Sequence, residues 1–65
     1  MLDEALDMLK ALQNGKKIPE SEISEKVDEL ASRAKELERE CELSHLEAYE
    51  MKECWRIVNA LEEYL

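Results

Sequence analysis

The residues whose types and spacing come closest to a chemical site surround the chain's one histidine. His45 follows Cys41 by four residues and Glu42 by three, separations that bring side chains onto neighbouring turns of a helix. Cys41 and His45 would form half of a tetrahedral zinc site, completed by a symmetry mate. Glu42-x-x-His45 is the element that helical di-metal carboxylate sites use in pairs. Both patterns are incomplete, because there is no second histidine to build another Cys and His pair and Glu-x-x-His occurs once. A cysteine at a regular apolar position is more often a small core residue. No metal and no cofactor is therefore expected.

Nucleophilic chemistry has less support. Ser44 is adjacent to His45, so on a helix the two point about 100° apart and cannot form the hydrogen bond that activates a serine. Carboxylates are abundant at Glu36, Glu38, Glu40, Glu42, Glu47, Glu50 and Glu53, yet most fall outside the apolar stripe, where water keeps them ordinary acids. Catalysis is not expected. The sole tryptophan, Trp55, falls on the apolar stripe and reads as an anchor, either in the core of a homo-oligomer or in a docking site for a different protein.

The elements that would position these groups are helices. With 65 residues, of which 45% are hydrophobic and 40% charged, and with one Gly, one Pro and no Phe, the chain has the composition of long helices. A domain this small buries only about 60% of the surface of its unfolded form, so association is expected to supplement its core. The net charge of −8 makes direct nucleic-acid binding an unfavourable reading. The absence of a long apolar run and the acids among the first leucines argue against a membrane span and a secretory signal. Two cysteines without CxxC spacing suit a reducing compartment, so the expected location is cytoplasmic.

Leu2, Ala5, Leu6, Leu9 and Leu12 recur at helical spacing, predicting a first helix over about 2–14. Asn14 and Gly15 close it, and Lys16 and Lys17 suit the negative end of its dipole. A turn at about 15–18 leads to Pro19, which suits the first position of a second helix. From there Ile23, Val27, Leu30, Ala34, Leu37, Cys41, Ser44, Ala48, Met51, Trp55 and Val58 step by four and three, with Leu65 a heptad further on, the phase of a coiled-coil seam. Glu22 with Lys26 and Glu29 with Arg33 have the favourable i,i+4 order for surface ion pairs.

The expected architecture is an all-α single domain, residues 1–65. It is a helical hairpin with a short first helix and a long, heptad-patterned second helix over about 19–65, assembled as a coiled-coil or helical-bundle oligomer. Ser44 followed by Glu47 also matches a capping box, with Leu43 as a possible staple, so the alternative is a three-helix bundle with a break near Ser44. The continuous helix is the preferred reading because the phase runs unbroken and no Gly or Pro lies between Cys41 and Ala48.

Such a rod would be about 68 Å long against about 20 Å for the first helix, leaving its C-terminal half without a partner. The predicted interface is Ala48, Met51, Cys54, Trp55, Val58, Leu61 and Leu65. The functional expectation is a non-enzymatic protein–protein interaction module, a homodimer or homotetramer that serves a larger protein as adaptor, regulator or accessory subunit. A second expectation, motivated by the charge, is an acidic inhibitor of phage or mobile-element type that blocks a basic nucleic-acid-binding site on a target protein.

Overall fold

The computed structural model describes residues 2–40 and 42–65, and the readings that fall on Cys41 lie outside them. The described residues form three helices, α1 (Leu2–Gln13), α2 (Glu20–Glu38) and α3 (His45–Glu62), with no strand among them.

Local chemistry accounts for most of the boundaries. At the end of α1, Gly15 has φ of 89°, Lys16 N–H donates to Ala11 O at 2.9 Å, and Gly15 N–H donates to Leu12 O at 3.0 Å. These paired bonds are the Schellman closure, which needs a left-handed residue at Gly15. Pro19 occupies the cap position rather than the first helical one, with an extended ψ of 139°. Its carbonyl accepts from Glu22 N–H at 3.0 Å and Ile23 N–H at 3.3 Å, so α2 opens one residue later than expected.

The long second helix is overturned. The chain leaves α2 after Glu38 and re-enters a helix at His45, and the longest molecular dimension is 39 Å, far short of the rod. The reversal has two causes. Ser44 Oγ accepts from Glu47 N–H at 3.2 Å while Glu47 Oε1 accepts from Ser44 N–H at 3.3 Å, a reciprocal cap that satisfies donors at the start of α3. Glu36, Glu38, Glu40 and Glu42 would also load the C-terminal end of α2 with negative charge, which the helix dipole disfavours there. The seam phase survives because the link, residues 39–44, is close to a heptad in length, so periodicity alone does not register the change of direction.

α3 returns antiparallel along α2. A six-residue link reaches at most about 20 Å, too short to carry the chain back along α2, which is about 28 Å long. α1 folds back through residues 14–19 to pack chiefly against α3, while Glu4 reaches Lys26 of α2 at 3.2 Å. The shared core comprises Ala5 and Leu9 of α1, Ile23, Leu30 and Ala34 of α2, and Cys54, Ile57, Val58 and Leu61 of α3. No polar or charged residue is buried among the described residues. No described helix is long and apolar enough to cross a membrane.

The expected surface pairs are also rearranged. Lys26 binds Glu29 at 3.0 Å and Glu4, not Glu22, and Arg33 binds Glu36 at 3.7 Å and Glu50 at 3.0 Å, not Glu29. Each cation keeps one partner at i,i+3 on α2 and, once the helices pack, gains a second on a neighbouring helix, Glu4 of α1 or Glu50 of α3, that helical spacing does not reveal.

Candidate docking surface

α1 is only 12 residues long and spans about 18 Å, so it covers one end of the α2 and α3 pair. Its contacts mark that end: Glu4 meets Lys26, and Met8 shares a cleft with Glu22, Glu25, Lys26 and Glu29. The opposite end, where α2 finishes and α3 begins, is built from two helices and the link.

On α3 this end carries two large apolar side chains facing water, Leu46 at 81% and Tyr49 at 63% of full exposure. They begin a row, Leu46, Tyr49, Glu53, Arg56 and Ala60, that steps by three and four along one side of α3. Within it Arg56 Nη2 donates to Glu53 Oε2 at 2.6 Å and its Nε donates to the same oxygen at 3.0 Å. Beside the row, Arg33 of α2 grips Glu50 in a forked contact, Nε to Oε1 at 3.0 Å and Nη2 to Oε2 at 3.4 Å. That contact holds the start of α3 against α2 and, with Glu50 first among its causes, raises the pKa of Arg33.

The predicted interface residues separate into two groups. Cys54, Val58 and Leu61 are buried in the chain's own core, so in this fold they are not available to an outside partner. The reason is the reversal at residues 39–44, which lets α1 and α2 cover the seam that a straight rod would have exposed. Ala48, Met51 and Trp55 are half-buried, while Leu65 is exposed. Trp55 also commits its polar edge, donating Nε1–H to Glu38 Oε1 at 2.9 Å. Burial raises the pKa of the Cys54 thiol, with Glu50 adding to the effect.

The residues first considered for chemistry are dispersed. His45 is an exposed residue at the start of α3, and Glu42 is exposed in the link. The Ser44 hydroxyl accepts the capping bond. Among the described residues, no group of three or more His, Cys, Asp or Glu side chains converges to hold a metal ion. The distinct acidic feature is a shallow, open patch on one face of α2, bordered by Glu25, Asp28, Glu29, Ser32, Arg33 and Glu36.

The heptad seam does not single out Leu46 and Tyr49, because it runs through Ala48, Met51 and Trp55. Their signal in the sequence is a second row with the same three-and-four spacing, offset to the other side of α3. No protein-family model, no curated protein and no solved structure matches this chain.

Proposed function

We propose that this chain is a non-enzymatic, helical protein–protein interaction module that serves as a small adaptor, regulator or accessory subunit, docking through the row on α3 that begins at Leu46 and Tyr49. The observation that carries the reading is the exposure of these two side chains beside an already enclosed core. A leucine facing water gives up the roughly 1.5 to 3 kcal/mol that full burial contributes. A partner that covers Leu46 recovers it.

This surface replaces the C-terminal seam as the docking face, since Cys54, Val58 and Leu61 already hold the chain's own helices together. Association with itself and with a larger protein remain parts of the proposal. The test is sedimentation over a range of concentrations, comparing the parent chain with Leu46→Ser and Tyr49→Ser. Both variants should keep their helical content, keep the thermal midpoint of dilute protein, and lose association. Association that is indifferent to both substitutions would remove this face from the proposal.

A second reading, the acidic inhibitor, rests on the acidic patch of α2. Its rim has four acids, and its one cation, Arg33, is already engaged by Glu50 and Glu36. Binding of that kind to a basic nucleic-acid-binding protein would weaken steeply as salt rises, whereas docking through Leu46 and Tyr49 would change little. Titration of a basic target protein at low and high salt separates the two.

A further inference from the structure

The occupant of the α3 row follows from its charge. The molecule carries a net charge of −8, and α2 alone has seven acidic residues against three basic ones, so most faces repel a second copy. The row on α3 is an exception. Glu53 and Arg56 neutralise each other within it at 2.6 Å, Lys52 flanks it, and Leu46, Tyr49 and Ala60 carry no charge.

Resting on the reading of this row as the docking face, we infer that the partner is a second copy of the chain, with the two α3 helices antiparallel across a two-fold axis near Glu53. That symmetry places Leu46 opposite the small, half-buried Ala60 of the mate, Tyr49 opposite Arg56 of the mate, and the two half-buried Glu53 residues across the axis. The centre is then two carboxylates and two guanidiniums in alternation, in place of the bare acid pair that Glu53 would make alone. Each Tyr49 ring meets a guanidinium, a favourable cation and aromatic contact, and large meets small at both ends, as close packing requires. A parallel pair would instead set Arg56 against Arg56 and leave Ala60 against Ala60 as a gap.

The contact is modest. α3 has 18 residues and is about 27 Å long, and a single stripe of that length buries less than the roughly 800 Å² per partner of a standard stable interface. The contact therefore belongs with weak, transient interfaces, and the dimer exchanges reversibly with monomer.

Sedimentation equilibrium on five chains tests both partner and orientation: the parent, Leu46→Ser, Tyr49→Lys, Arg56→Glu, and the last two substitutions together. All three positions are exposed, and helical circular dichroism checks that each variant folds. Tyr49→Lys sets an ammonium against Arg56 of the mate, and Arg56→Glu surrounds the axis with carboxylates. Each should weaken the dimer about tenfold. In the double variant the ammonium introduced by Tyr49→Lys meets the carboxylate that Arg56→Glu introduces on the mate, so it should dimerise about tenfold more tightly than either single variant. A parent chain that stays monomeric at millimolar concentration overturns the second copy as occupant. A dimer abolished by Leu46→Ser but without rescue in the double variant overturns the antiparallel register and leaves the docking face standing. A dimer indifferent to Leu46→Ser overturns both.

Discussion

The indole N–H of Trp55 donates to a carboxylate oxygen of Glu38 at 2.9 Å, tying the middle of α3 to the last residue of α2. The bond closes the hairpin on the side away from the Leu46 row. Trp55→Phe keeps most of the ring and loses the donor. At this exposed site a hydrogen bond to a charged group contributes at most about 1 kcal/mol, so the thermal midpoint should fall by no more than about 4 to 8 °C. Glu38→Gln retains an acceptor and should fall by less. A loss in Trp55→Phe with none in Glu38→Gln or Glu38→Ala would show that ring packing, not the bond, holds the hairpin.

Leu30 and Leu46 are chemically identical residues in opposite surroundings, one fully enclosed and one at 81% exposure. Leu30→Ala opens a cavity where all three helices meet and should cost about 2 to 5 kcal/mol. That is a large share of the stability of a fold this small. Leu46→Ala should leave the urea midpoint of dilute, monomeric protein nearly unchanged. A marked loss with Leu46→Ala would mean that Leu46 supports the fold itself.

The break between α2 and α3 rests on the Ser44 and Glu47 cap. Ser44→Ala removes the acceptor for Glu47 N–H and should destabilise the chain by about 1 kcal/mol. Ser44→Asp keeps an acceptor and adds negative charge at the positive end of the α3 dipole, so it should hold or raise the midpoint. If Ser44→Ala is neutral, the link is held by the Arg33 and Glu50 contact rather than by the cap.

What is legible in the sequence, and what is not, divides along this same link. The all-helical class, the Gly15 closure and the capping box are readable because each depends on residues within one turn of one another. Direction is not readable. Leu37 and Met51 lie 14 residues apart, two whole heptads, so a helix that reverses between them keeps the same phase as one that does not. The acids at 36, 38, 40 and 42 carry the signal of the reversal, since they suit the approach to a helix start and not the end of one. Without the reversal the free surface is misplaced. Cys54, Val58 and Leu61 then fall to a partner, although the chain's own α1 and α2 cover them, and Leu46 and Tyr49, which lie beyond the reach of α1, are passed over.

Burial also sets the reactivity of Cys54. The thiol is enclosed and its pKa is raised, first by burial and then by Glu50, so near neutral pH it is protonated and out of reach of alkylating reagents. Iodoacetamide labelling followed by peptide mass analysis should leave Cys54 unmodified in the native chain and modify it in denaturant. Fast labelling of native Cys54 would mean that α3 leaves the core readily.

Two neighbouring carboxylates respond to acid in opposite senses. Glu47 is held below the usual 4.5, first by the backbone N–H of Ser44 and then by its side chain. It contributes stability that is complete above that usual value and is lost as pH falls through its lower folded value. Glu40 is held above 4.5, first by its hydrogen bond with Glu47 and then by the repulsion between them. Its contribution favours the fold below 4.5 and is lost as pH rises through its higher folded value. The parent chain therefore shows only the difference between the two. Glu40→Gln keeps a donor for Glu47 and removes the opposing titration, so the variant should gain stability at about pH 7 and lose more on acidification to about pH 3 than the parent does. Thermal melts at both pH values measure the two slopes. Equal slopes would mean that Glu40 and Glu47 do not share a proton, and the acid response of the link would then belong to the Ser44 cap alone.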